Sequence, residues 1–228
     1  MSPDLRQARA VVFDAYGTLF DVASAAAAAR DELGEAWAPL AELWRAKQLQ
    51  YTWLRSLMKR HADFGAVTAD ALDYALEALG RRDPALRARL LDLYERLGAY
   101  PEVPRVLERL AAAGRRLAVL SNGSPRMLEA AVRAAGLDGA FEAVLSVEEV
   151  GVYKPDAAVY GLATARLGVA PEGVAFVSAN GWDASGAKAF GFGVVWCNRG
   201  RQPRERLGLD PDAEIESLAG LPAAVGVP

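Results

Sequence analysis

Five short stretches of this chain are apolar at consecutive positions and end on polar residues, and this pattern constrains the fold more than any other feature. They are AVVFD (10–14), RLAVLSN (116–122), FEAVLS (141–146), GVAFVSAN (173–180) and FGVVWCN (192–198). A strand with one wet face alternates apolar and polar residues, whereas one apolar throughout is covered on both faces. Helical patterns fill the gaps from Tyr100 onward: VPRVLERLAAAG, PRMLEAAVRAAG, DAAVYGLATARLG and DASGAKAFG. Strands alternating with helices predict an α/β fold, a doubly wound, Rossmann-like parallel sheet. Residues 22–98 differ, reading as helix almost throughout, from the Ala-rich AAAAARDEL through LWRAKQLQYTWLRSLMKR to PALRARLLDLYERLG. The expected organisation is a core of residues 1–21 plus 100–228, with a helical cap domain, 22–99, inserted after the first strand.

Composition removes several kinds of function. At 228 residues the chain suits one large domain or a core with an insert. Lys+Arg 26 against Asp+Glu 29 argues against a nucleic-acid partner, which needs a basic face. No apolar run approaches the ~18 residues of a membrane span, and MSPDLRQARA carries no signal-peptide core, so a cytoplasmic protein without a membrane partner is expected. A lone cysteine, Cys197, excludes an intrachain disulfide framework and a multi-cysteine metal site. The single histidine, His61, lies beside Lys59 and Arg60 in MKRHADF and reads as a solvated helix end. If the protein is an enzyme, carboxylates, lysine, arginine and hydroxyls carry the chemistry.

In a doubly wound sheet the ligand lies beyond the carboxyl ends of the strands. The first strand ends at Asp14 and the second at Ser121-Asn122; Lys154 follows the third, and Ser178, Asn180 and Asp183 follow the fourth. Each has a local structural explanation: helix N-caps for Asp14 and Asp183, a turn at Ser121-Asn122-Gly123-Ser124, a solvated lysine at 154. Four such groups converging on one rim favour a site.

The segments FDAYGTLFDV, LWRAKQLQYTWLR, LSNGSP, VYKPD and FVSANGWDASGAKAFGF, in this order and spacing, resemble the L-2-haloacid dehalogenases of the haloacid dehalogenase superfamily. The resemblance runs from Val11 to about Asn198. It implies strand order 5-4-1-2-3 with a helical cap after strand one, and hydrolysis of short L-2-haloacids to D-2-hydroxy acids and halide. It implies no cofactor, no metal, and a homodimer. By this resemblance Asp14 is the nucleophile, displacing halide from Cα to form an ester that water opens. An aspartate side chain is ionised at neutral pH without assistance.

Phosphatase relatives place a second aspartate where Tyr16 stands, to protonate a leaving alkoxide. Halide needs no proton, so Tyr16 reads as pocket wall; an ordinary core tyrosine is the alternative for the residue alone, but its standing in place of the second aspartate weighs against phosphoryl transfer. On LWRAKQLQYTWLRSLM the apolar face is expected through Leu40, Trp44, Lys47 (by its stem), Tyr51, Leu54 and Met58, with Arg45 and Leu49 one turn apart on another stripe. An exposed, solvated arginine is the bland alternative. The resemblance assigns Arg45 to halide withdrawal, with Asn122 and the positive edge of Trp182, and Phe64 to the apolar side of the pocket.

Lys154 has an electrostatic role in this scheme. Asp14, Asp183 and a substrate carboxylate would gather three negative charges, and each pair at 4 Å repels by about 4 kcal/mol at an effective dielectric near 20. Lys154 and Arg45 are expected to replace the Mg²⁺ of phosphatase relatives, with Asn180 standing where an acidic metal ligand would help. Asp183 is expected to activate water, Ser178 and Asn180 to position ester and water, Ser121 and backbone N–H groups after Asp14 to hold the substrate carboxylate. Thr18 and Tyr160 are expected to orient Asp14 and Lys154. Gly17 permits the turn after Asp14. In VYKPD, Pro155 is expected at the first helical position with Asp156 in the first turn. Trp37 and Trp53 suit either a dimer interface or the cap's own core. The rival readings are a phosphatase of small phosphoesters and a protein of this fold with weak or lost turnover.

Overall fold

The first apolar run forms the middle of the sheet. β1 (Ala10–Phe13) lies between β2 (Arg116–Ser121) and β4 (Val174–Ser178) and is parallel to both, with Phe13 opposite Val119 on one side and Val177 on the other. β3 (Ala143–Ser146), β5 (Gly193–Cys197) and β6 (Ala213–Ile215) complete a parallel sheet in the order β3-β2-β1-β4-β5-β6. Read from the other edge this is the expected 5-4-1-2-3, extended by a sixth strand. That strand escapes sequence reading because three residues carry too little periodicity. The computed structural model describes residues 3–22, 30–95 and 97–228; the alanines of 25–29, expected to be helical, lie outside the described residues.

Three long helices follow β1: α1 (Trp37–Leu57), α2 (Phe64–Ala78) and α3 (Pro84–Glu95). Asp63 starts α2, its carboxylate accepting from the N–H groups of Gly65 and Ala66. α1 packs chiefly on α2, and here the expected face is corrected. The buried residues of α1 are Leu40, Trp44, Gln48 and Thr52, an i, i+4 stripe, whereas Leu54 and Met58 are exposed. Gln48 and Thr52 can sit inside because each is hydrogen-bonded there, and the more apolar 54/58 stripe is uncovered in the single chain.

Four further long helices, α4 (Val103–Ala112), α5 (Pro125–Ala134), α6 (Ala157–Leu167) and α7 (Gly181–Phe190), connect strands and pack on the sheet. The two chain crossings between α1–α3 and the sheet run side by side. Phe20 bridges Ala99, Asp21 N–H donates to the Gly98 carbonyl at 3.0 Å, and Tyr100 N–H donates to that of Leu19 at 3.0 Å. Arg199 clamps this junction: its guanidinium lies 3.7 Å from the Tyr100 ring centroid and donates to the Thr18 carbonyl at 3.0 Å. Among the described residues no helix is long and apolar enough to cross a membrane.

His61 is not a solvated helix end. It is half-buried between the helical segment and the sheet, Nε2 2.9 Å from Glu148 Oε2 and its ring 5.0 Å from that of Tyr153. Tyr153 also donates its hydroxyl to the Ala62 carbonyl at 2.5 Å.

Candidate active site

The strand register places the polar residues on one rim. Asp14 follows Phe13 directly, and its N–H donates to the Val177 carbonyl at 2.9 Å, so its carboxylate emerges between the ends of β2 and β4. The chain then turns back at Gly17, whose φ of +86° is a conformation that side-chain-bearing residues rarely adopt. Gly123 makes a second demand for glycine: a Cβ there would lie 2.7 Å from the Tyr16 ring.

Asp14 is held asymmetrically. Its Oδ2 accepts from Thr18 Oγ1 at 3.0 Å, from Asn180 Nδ2 at 2.9 Å and from Ser178 Oγ at 3.4 Å. Its Oδ1 faces Lys154 Nζ at 3.1 Å and no other donor among the described residues. Thr18 is itself fixed, accepting from Ala179 N–H at 2.8 Å, and Ser178 accepts from Asn180 N–H at 3.1 Å.

Lys154 is buried and bridges the two acids, its Nζ lying 2.8 Å from Asp183 Oδ2. Burial opposes its charge, but Asp14 and Asp183 outweigh burial and raise its pKa above the ordinary lysine value. Asp183 is wholly buried; desolvation lifts its carboxyl above the ordinary range against the pull of Lys154. Tyr160 donates to Asp183 Oδ1 at 2.8 Å and is kept protonated by burial and by that neighbour. This donor set does not fit a divalent ion. The Lys154 ammonium lies between the carboxylates, and among the described residues no three His, Cys, Asp or Glu side chains cluster to hold a metal.

Pro155 is not the first helical position. The Lys154–Pro155 bond is cis, and α6 begins at Ala157 with Asp156 as its N-cap, accepting from Ala158 N–H at 2.9 Å. The cap took precedence because a short carboxylate satisfies a helix-start donor that proline at that place would leave unpaired.

Ser121 Oγ accepts from Gly123 N–H at 3.0 Å while its own proton goes to no described residue. Among the described residues the N–H groups of Ala15 and Tyr16 make no backbone hydrogen bond. Asn122 is buried; its Oδ1 accepts from Lys154 N–H at 3.1 Å, and its amide nitrogen donates to no described residue. Unused donors thus gather around Asp14.

Arg45 reaches the rim from α1, donating to Asn180 Oδ1 at 3.1 Å and to Gln48 Oε1 at 2.7 Å. Arg45, Leu49, Asn180 and Trp182 line one cleft of about 740 Å³ whose outer wall is the 202–207 loop. The Trp182 Nε1 is buried and has no hydrogen-bond partner among the described residues. Tyr16 is buried against Phe64, ring centroids 5.7 Å apart, and stacks on Tyr94 at 5.6 Å. Burial above all, with Tyr94 and Asp14 adding to it, keeps Tyr16 protonated.

Two residues at the site escaped sequence reading: Tyr94, which supports Tyr16, and Gln48, which supports Arg45. Trp53, expected at a dimer interface or in the cap's own core, packs edge-on against Trp182 at 5.4 Å. Only Gln48 carried a signal, its position one helical turn after Arg45.

The model of haloacid dehalogenase-like hydrolases matches residues 8–191. The (S)-2-haloacid dehalogenase 1 of Pseudomonas sp. (strain CBS-3) is 46% identical over 94% of this chain and 95% of its own length. A crystal structure of an L-2-haloacid dehalogenase superposes with a TM-score of 0.94 at 44% identity, covering 96% of this chain and 99% of that one. The Xanthobacter autotrophicus L-2-haloacid dehalogenase with chloropropionic acid covalently bound has a TM-score of 0.86 at 41% identity, covering 96% and 98%. With a central strand ending on a buried aspartate and relatives of this identity over nearly its whole length, the chain belongs to the haloacid dehalogenase-like hydrolases and, within them, to the (S)-2-haloacid dehalogenase family.

Proposed function

We propose that this protein hydrolyses short L-2-haloalkanoic acids to D-2-hydroxy acids and halide through an ester on Asp14. The observation that carries the reading is the asymmetry of that carboxylate: among the described residues Oδ2 is held by three donors and Oδ1 faces Lys154 alone. Oδ1 has the more available lone pair and attacks C2 in line. The C–halogen bond breaks, halide leaves with its electron pair, and C2 inverts. Arg45, the Asn122 amide and the Trp182 N–H edge receive the halide. Ser121 and the free N–H groups of Ala15 and Tyr16 hold the substrate carboxylate, while Tyr16, Leu49 and Phe64 form apolar wall.

Water then attacks Cγ of Asp14 and gives its proton to Asp183, whose raised basicity suits the task. Negative charge builds on Oδ2, where Thr18, Asn180 and Ser178 are already aimed. Collapse expels the C2 oxygen, which takes up the proton held by Asp183; the second proton of the water is released to solvent, and Asp14 is restored as the carboxylate without a second inversion. Lys154 keeps the two acids compatible, and Tyr160 orients Asp183. No cofactor enters this scheme.

The same reading treats residues 22–99 as a cap over the core of 1–21 plus 100–228, in a cytoplasmic homodimer that acts on neither nucleic acid nor membrane. The uncovered face of α1 suits a second copy: Leu57 is 80% exposed and Met58 61%, beside Arg55, Arg60, Asp70 and Asp73 of both charges. The test of the function is halide release from L- and D-2-chloropropionate, with and without EDTA, alongside Asp14→Asn. We expect L-selective release, no chelator effect and an inactive variant. Phosphate release from p-nitrophenyl phosphate, lost with EDTA, would instead identify a phosphatase.

A further inference from the structure

Gln48 touches no part of the Asp14 cluster, yet it is 1% exposed and its amide orientation is forced. The Thr68 hydroxyl donates to the Phe64 carbonyl at 2.6 Å, so toward Gln48 it can only accept. The amino group of Gln48 must therefore face Thr68, at 2.7 Å, with the Tyr94 hydroxyl at 3.2 Å. This turns the amide oxygen toward Arg45 Nη1, at 2.7 Å. The other arginine nitrogen donates to Asn180 Oδ1 at 3.1 Å, and Asn180 Nδ2 donates to Asp14 Oδ2 at 2.9 Å. One directed chain runs from the first turn of α2 through Thr68, Gln48, Arg45 and Asn180 to Asp14.

We infer that Gln48 is a positioning residue for halide departure, fixing the Arg45 guanidinium at the leaving-group side through a lock set by Thr68. The inference rests on the dehalogenation reading above. Arginine is a long side chain with many rotamers, and a buried acceptor one turn away restricts it to one direction. An amide does this without cancelling the positive charge, whereas a carboxylate at 2.7 Å would pair with it and weaken its pull on halide.

The test compares leaving groups. Chloride is a poorer leaving group than bromide and depends more on the cation that receives it. For Gln48→Met we expect kcat/KM to fall about 30-fold on L-2-chloropropionate and about 3-fold on L-2-bromopropionate, less than the roughly 100- to 1,000-fold lost when a preorganised donor is removed outright, because Arg45 is loosened and not removed. Single-turnover halide release should slow, while hydrolysis of the ester formed keeps the wild-type rate. Thr68→Val, which touches neither substrate nor Arg45, should show a smaller loss with the same chloride-over-bromide ranking, and decides the matter alone if Gln48→Met does not fold. Equal losses on both halides, slowed ester hydrolysis, or wild-type rates in both variants would overturn the inference while leaving dehalogenation intact. A wild-type protein that releases no halide would overturn both.

Discussion

The sheet rim and the helices inserted after β1 contribute to the same site by different means. On the rim, Asp14, Ser121 and Ser178 are placed by strand register: each lies at or just past the end of a parallel strand, and its backbone is fixed by the neighbouring strand. From the helical side, Arg45 and Leu49 are placed by packing of α1 on α2, and Arg45 keeps its direction through side-chain hydrogen bonds alone. Backbone placement tolerates change in surrounding side chains. Side-chain placement fails when one partner is lost.

The two regions should therefore fail at different steps of the reaction. The largest effect is expected for Asp183→Asn on the rim: turnover falls by about a thousandfold or more, because loss of a positioned base slows ester hydrolysis most. One equivalent of halide should be released in a burst, and mass spectrometry should find the ester on residue 14. Arg45→Met should lower turnover by roughly a hundredfold through loss of charge stabilisation, with no burst and no accumulating ester. If Arg45→Met also trapped ester, the division of labour would be wrong.

A pH profile sharpens the comparison at intermediate size. The Asp183 carboxyl is raised by burial, so its basic form is lost on acidification earlier than an ordinary aspartate's would be. On acidification, ester hydrolysis should therefore begin to decline at a higher pH than halide release does. Lys154 is raised above the ordinary lysine value by Asp14 and Asp183, so its charge persists to higher pH than an ordinary lysine's would. Stopped-flow measurement of the two steps across pH checks both signs.

The smallest effect is expected at the seam. His61→Phe removes the contact with Glu148 but keeps a ring against Tyr153; a part-exposed contact of this kind contributes at most about 1 kcal/mol. Thermal denaturation should show a slight decrease, with turnover changed by less than about threefold. A large loss of turnover would give the seam a part in the reaction.

Much of this was legible in the chain. The strands, their parallel arrangement and the residues at their ends follow from apolar runs that stop on polar side chains, a pattern that survives in one dimension. The face of α1 was misread because hydropathy ranks Leu54 and Met58 above Gln48 and Thr52, although only the polar pair has partners inside. His61 was misread because its neighbours in sequence are cationic while its neighbour in space, Glu148, lies 87 residues away.

The sequence by itself determined which groups stand at the rim, because a parallel strand has a fixed direction and its last residue has only one place to emerge. Tertiary structure alone decided how they are aimed: which oxygen of Asp14 receives three donors, which way the Gln48 amide faces, what closes over His61. Those choices depend on hydrogen bonds between residues far apart along the chain, and no local periodicity records them.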